Sequence, residues 1–200
     1  MIKLTHIFFV LALTLNATAT ASAQGTERSV DMGLTPSPVY GLWSNINRAV
    51  IVYAKLHSTD NDWLRKLEGM EPKKFTGKEP AHVLEQVKRF KTELIELIEL
   101  NKHWSDSATE TLLDGNLPNL LSSNNNRVTP SQVYLHSGQV LVNIARYILQ
   151  ESPTVIEISP LFEEQHITGK TPSDVYGMVD LGIRRLEEIA LQNPMEEKVQ

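Results

Sequence analysis

Thr-Pro-Ser-Pro-Val-Tyr at residues 35–40 recurs as Thr-Pro-Ser-Gln-Val-Tyr at residues 129–134 and as Thr-Pro-Ser-Asp-Val-Tyr at residues 171–176. A fourth copy that matches only in part, Glu-Pro-Ala-His-Val-Leu, lies at residues 79–84. Threonine is a good N-cap, and proline suits the first helical position because no amide hydrogen is needed there. Each copy therefore predicts the start of a helix.

Apolar residues follow each start at alternating spacings of four and three. We call each such row of residues along one face of a helix a seam. The four seams are Val39, Trp43, Ile46, Val50 and Tyr53; Val83, Val87, Phe90, Leu94 and Leu97; Val133, Ser137, Val140, Ile144 and Tyr147; and Val175, Val179, Gly182, Leu186 and Ile189. This spacing is typical of helices packed nearly parallel or antiparallel. We therefore expect an all-α protein, and specifically a four-helix bundle.

The repeats also suggest a tandem duplication. Residues 34–40 match residues 128–134, and residues 75–83 match residues 167–175, at nearly the same offset. This predicts two helix–connector–helix units, the half-repeats 34–100 and 128–192, joined by a linker at 101–127. The first connector is expected to hold a short helix that ends near Gly69.

The up-down arrangement also predicts which core residues lie at the same level. Its first and third helices run parallel, as do its second and fourth. Ser137 would then lie level with Trp43, and Gly182 level with Phe90. A large side chain would face a small one in both pairs, as close packing requires.

The first 23 residues have the pattern of a signal peptide. Lys3 precedes an apolar run at residues 7–15, and Ala21-Ser22-Ala23 fits the small-x-small cleavage pattern. We expect cleavage after Ala23 and a periplasmic or secreted protein that does not span the membrane afterwards. Residues 24–33 are expected to be a flexible lead-in, and residues 34–200 a single helical domain.

Composition narrows the possible functions. The chain has no cysteine, which excludes disulfides, thiolate catalysis, covalent haem attachment and thiolate zinc sites. Without the signal peptide it has 18 basic and 24 acidic residues. These charges are mixed along the chain without a basic block, so nucleic acid is not an expected partner.

The candidate ligand site combines two helix ends. Tyr53 and Tyr147 occupy equivalent seam positions, and antiparallel packing would bring them to the end that also holds Lys78, Lys170, His82 and Asp174. Lys78 and Lys170 each end a Thr-Gly-Lys turn before a helix, where a lysine and free amides can bind an anion. The alternatives are a turn with an exposed lysine, and tyrosines bonded to each other or to backbone.

The leading functional hypothesis is an exported, non-catalytic protein that binds a small ligand or an envelope protein. It rests partly on the analogy with exported helical bundles that act as binding modules. No cofactor, metal or catalytic residue is expected. One alternative is a metal- or haem-binding bundle with Met178 or Met70 as a ligand, although no local histidine pair supports it. The other alternative is an envelope hydrolase.

Overall fold

The computed structural model describes residues 31–100, 127–152 and 158–192. Over these residues the chain is all-helical, as predicted. Its helices are α1 (Pro36–His57), α2 (Asn61–Glu68), α3 (Pro80–Leu100), α4 (Pro130–Glu151) and α5 (Pro172–Gln192), with a 3-10 helix at Ser159–Phe162. The predicted signal peptide, residues 24–30 of the predicted lead-in and residues 101–126 of the predicted linker lie outside the described residues. None of the described helices is long and apolar enough to cross a membrane.

The interpretation of the repeated motif as a helix start is confirmed, since its proline begins each of the four long helices. At Thr129 the cap is complete. Its hydroxyl accepts from the Gln132 amide at 3.3 Å, and the Gln132 side chain accepts from the Thr129 amide at 2.9 Å. Thr35 makes no side-chain cap bond, so α1 relies on its proline, whose fixed φ suits the first turn.

The first connector contains the expected short helix. The Asp60 carboxylate caps α2 by accepting from the amides of Asp62 and Trp63 at 2.9 and 3.1 Å. The helix ends at Glu68, directly before Gly69. Leu64 and Leu67 are buried, and α2 packs on α1.

The four long helices share one core and run in the same direction. α1 packs against α4 and α5, and α3 packs against the same two helices. Their first turns meet around a narrow apolar slot, lined by one proline and one valine of each helix: Pro36, Val39, Pro80, Val83, Pro130, Val133, Pro172 and Val175. The expected up-down direction is therefore wrong.

The long connectors account for the parallel direction. A helix of 22 residues is about 33 Å long, and about ten extended residues return the chain over that distance. Residues 152–171, the shortest of the three connectors, number 20. Antiparallel helices are usually joined by 2–8 residues. Connectors of this length can cross the whole molecule and bring each helix back to the same end.

Each of α1, α3 and α5 is preceded by a short segment, its lead-in, which crosses the start of a neighbouring helix. Its backbone N–H donates to the hydroxyl of the motif serine there, at 3.4, 3.0 and 3.0 Å for Leu34 to Ser131, Lys78 to Ser173 and Lys170 to Ser37. The residue before each donor is a glycine with positive φ, namely Gly33, Gly77 and Gly169. The motif serine thus holds a neighbouring lead-in in place.

Two positions of the repeated pattern depart from this arrangement. The start of α3 has Ala81 where the other helices have serine, and the α4 lead-in has Arg127 where the others have glycine. Neither residue can therefore supply the serine hydroxyl or the glycine that the other three crossings use. The lead-ins of α1, α3 and α5 therefore share a contact for which α4 and its neighbour lack the residues.

The predicted pairing of large and small core residues is confirmed. Trp43 Nε1 donates to Ser137 Oγ at 2.9 Å. A Cβ added at Gly182 would lie 2.8 Å from Phe90 Cε2. These pairs hold despite the wrong direction, because α1 and α4 are parallel in either arrangement, as are α3 and α5.

Stability is expected to depend on the protonation of His136, which is half-buried on α4. Burial lowers its pKa, and the charges of Lys88 and Lys91 on α3 lower it further. A histidine with a depressed folded-state pKa stabilises the fold above its ordinary value near 6.5, and this contribution is lost as pH falls through the folded pKa. Denaturation at several pH values should show a smaller loss below pH 6.5 in His136→Gln than in the parent. Equal losses would contradict this role.

Candidate functional site

Tyr53 and Tyr147 lie together near the C-terminal ends of α1 and α4. Their ring centroids are 5.1 Å apart, and both side chains are buried. His57 joins them, with its ring centroid 4.6 Å from that of Tyr53 and its Nε2 3.0 Å from the Tyr147 hydroxyl. The two tyrosines therefore belong to a packed aromatic cluster of the core.

Lys78 and Lys170 lie at the opposite, N-terminal end. The Lys170 ammonium is 4.3 Å from the ring centroid of Tyr40, and that of Lys78 is 4.5 Å from the ring centroid of Tyr176. Each lysine thus packs on the motif tyrosine of a neighbouring helix. Such a cation–π contact contributes about 0.5–1 kcal/mol at an exposed position, which gives the lysine of each Thr-Gly-Lys turn a structural role.

His82 and Asp174 complete the first turns of α3 and α5. His82 Nδ1 accepts from the backbone N–H of Glu79 at 3.0 Å. The Asp174 carboxylate accepts from the amide and the hydroxyl of Thr171 at 2.8 and 2.7 Å. These two hydrogen bonds lower the pKa of Asp174.

The six predicted site residues do not form one pocket. Tyr53 follows Pro36 by 17 residues on α1, which places it about 26 Å along the helix from the end that holds the lysines. The expected juxtaposition assumed antiparallel helices and is wrong, because the parallel arrangement puts the tyrosines and the other four residues at opposite ends.

An open groove of about 760 Å³ lies between α1, α4 and the segment 162–168. We call it the α1–α4 groove. One wall is apolar and consists of Leu135, Leu141, Val142 and Phe162. Val142 and Phe162 are 45% and 50% exposed. The other wall is polar and consists of Glu163, Glu164, Gln165, His166 and Thr168.

The polar wall rests on α1 at a glycine. A Cβ added at Gly41 would lie 3.0 Å from Gln165 Cβ. The equivalent crossing on α5 is closer still, since a Cβ added at Gly177 would lie 2.5 Å from the Lys73 carbonyl oxygen. Sequence reasoning did not identify this groove. The available signal was the glycine that follows the motif tyrosine in the first and last copies, where α4 has Leu135.

Asn45 anchors the same wall and keeps one hydrogen-bonding group unused. Its Nδ2 donates to the Glu163 carbonyl oxygen at 2.8 Å. This bond fixes the orientation of the amide, because a carbonyl oxygen can only accept. Asn45 lines the groove and is only 4% exposed, and its Oδ1 has no partner among the described residues. A buried acceptor without a donor costs about 1–3 kcal/mol and marks a position where a donor is missing.

A second groove, of about 580 Å³, lies between α1, α5 and the first connector. Its buried Arg185 donates to the carbonyl oxygens of Leu67, Glu68 and Met70 at 3.1–3.3 Å, and to Asn47 Oδ1 at 3.2 Å. Burial lowers the pKa of this guanidinium. Since its donors already have partners, Arg185 anchors the connector and the C-terminal end of α2.

Comparisons of this chain with protein-family models, with curated proteins and with solved structures give no match. In the described part of the chain, no three His, Cys, Asp or Glu side chains are placed to hold a metal ion. The α1–α4 groove is the arrangement best suited to a ligand, since it joins an apolar wall to a polar wall and includes Asn45, whose Oδ1 is an unused acceptor.

Proposed function

We propose that this chain is an exported, non-catalytic binding protein whose small-molecule ligand occupies the α1–α4 groove. The observation that carries the proposal is the groove itself. Its volume of about 760 Å³ lies within the roughly 300–1,000 Å³ of ligand sites, which are usually apolar with a few polar groups that fix orientation. Exposed Val142 and Phe162 beside buried Asn45 fit that description.

We also propose that the four long helices form a four-helix bundle that arose by duplication. The equivalent Ser–amide contacts at three helix starts support this origin, as does the repeated Pro-x-x-Val that lines the shared slot. In this proposal the groove results from the repeat, because the segment before α5 lies across α1 and leaves space between α1 and α4.

Export follows from the signal-peptide pattern, with cleavage after Ala23 and a periplasmic or secreted location. A native mass spectrum of protein purified gently from the exported fraction tests it. We expect a mass that starts at Gln24, and any additional bound mass would identify the ligand class. A mass that retains residues 1–23 would contradict the proposed cleavage.

Gly138 offers a direct test of the groove. It lines the groove on α4, and a Cβ added there meets no atom within 4 Å. Gly138→Trp should therefore fill the groove without a backbone conflict and weaken binding of the neutral apolar dye Nile red by about tenfold or more, a loss of at least about 1.4 kcal/mol of binding free energy. Dye fluorescence in a titration measures the affinity.

Gly138→Ala is the matched control. It makes the same backbone change but leaves the groove open, so we expect parental affinity. Alanine should also stabilise α4 by about 0.5–1 kcal/mol relative to glycine, which thermal unfolding of both variants will check. Equal dye binding by the tryptophan and alanine variants would show that the ligand site lies elsewhere.

A further inference from the structure

The polar wall of the α1–α4 groove is acidic. Glu163 and Glu164 both line it with exposed side chains. The described lining residues include no lysine or arginine, and His166 is their only other charged or titratable side chain besides Tyr134. Carboxylates beside an apolar wall create a negative local potential, which favours a ligand that is apolar with a positively charged end.

The unused hydrogen-bonding group beside this wall is an acceptor. Asn45 Oδ1 has no partner among the described residues, and the bond from Nδ2 to Glu163 prevents the amide from presenting a donor in its place. A missing donor in a groove that two carboxylates line is the arrangement that an ammonium group satisfies, because it carries three N–H donors and a positive charge.

We propose that the α1–α4 groove binds an apolar amine. Its ammonium donates to Asn45 Oδ1 and faces Glu163 and Glu164, while its apolar part lies against Val142 and Phe162. This inference rests on the proposed function, since it names the ligand class of the same groove. Asn45 Oδ1 is covered as the groove stands, so the ammonium reaches it by displacing the side chains that cover it, while the bond from Nδ2 to the Glu163 carbonyl is kept.

Three probes with the same alkyl chain separate the contributions of charge and donors. Decylammonium has both a charge and N–H donors, decyltrimethylammonium has the charge alone, and decanol has no charge. Calorimetric titration of the mature protein at low salt should give decylammonium the highest affinity, about five- to tenfold above decanol. Decyltrimethylammonium should fall between them. The advantage over decanol should shrink as salt is added, because exposed carboxylates are screened.

The double variant Glu163→Gln with Glu164→Gln tests the carboxylates. Both side chains are exposed, and the Glu163 carbonyl that holds Asn45 is kept, so the fold should be unchanged. We expect the variant to lose most of the decylammonium advantage and to bind decanol as the parent does. Circular dichroism of the variant provides the folding control.

The outcomes separate the ligand class from the site. Equal affinities for all three probes, each reduced in Gly138→Trp, would overturn the amine preference and leave the groove as the site. Decylammonium binding that Gly138→Trp does not reduce would place the amine elsewhere and overturn this inference. Failure of all three probes would also overturn it, while Nile red binding decides the proposed function independently.

Discussion

Trp43→Ala is expected to lower the free energy of unfolding by about 3–5 kcal/mol, the usual cost of removing a fully buried large aromatic side chain. Trp43 has no exposed surface. It meets the edge of Phe90 with ring centroids 5.0 Å apart, and it lies 3.3 Å from the position of a Cβ at Gly182. Its removal leaves a cavity between α1, α3 and α5 that close neighbours cannot fill. Urea denaturation followed by circular dichroism measures the change.

The indole hydrogen bond can be separated from the packing. Ser137→Ala leaves the Trp43 N–H buried without its acceptor, which should cost about 1–3 kcal/mol. In Trp43→Phe the donor is absent, so a second change to Ser137→Ala should cost less than it does in the parent. Additive losses in the double variant would show that the 2.9 Å bond contributes nothing to stability. A parental stability for Trp43→Ala would contradict the position of this residue in the core.

Local sequence was sufficient to predict the helices and the level at which their side chains meet. The motif proline marks each start, and the seam spacing places Trp43, Phe90 and Tyr53 in the core, where all three are buried. The partners Ser137 and Gly182 also followed from register alone. The helix starts and buried positions depend on the sequence within a few turns. The register partners depend only on pairs of helices that run parallel in either arrangement.

Helix direction was predicted wrongly, and the α1–α4 groove was not predicted. The periodicity of an apolar seam is the same for parallel and antiparallel neighbours, so the spacing of Val39, Trp43 and Ile46 gives no information on direction. The length of the connectors did give that information, since 20 residues at 152–171 are more than an antiparallel turn needs. The groove depends on where an irregular segment crosses α1, which only the contact between Gly41 and Gln165 shows.

The crossings of the lead-ins connect the repeat to the groove. On α1 and α5 the connector lies close to the helix because glycine follows the motif tyrosine, and the backbone can approach Gly41 and Gly177. Leu135 occupies the equivalent position on α4 and lines the α1–α4 groove instead. Glycine at this position therefore permits the close crossing on α1 and on α5.

Gly177→Ala is expected to destabilise the protein by about 1–3 kcal/mol, although alanine is the better helix former by about 1 kcal/mol. The added Cβ would lie 2.5 Å from the Lys73 carbonyl oxygen. This atom belongs to the backbone, so the connector must move away from α5 to relieve the overlap. That movement would also disturb the contact between Phe75 and Tyr176, whose ring centroids are 4.8 Å apart. Chemical denaturation measures the loss.

A glycine series distinguishes this contact from helix propensity. All three glycines lie within long helices, but their surroundings differ: Gly177 faces a backbone oxygen, Gly41 faces Gln165 Cβ at 3.0 Å, and Gly138 faces open space. We therefore expect alanine to destabilise at 177, to have a smaller effect at 41 and to stabilise at 138. Propensity alone predicts the same gain at all three positions. Stabilisation by Gly177→Ala would mean that the connector does not lie against α5. The crossing at Gly177 would then no longer support the equivalent crossing at Gly41, which forms the polar wall of the α1–α4 groove.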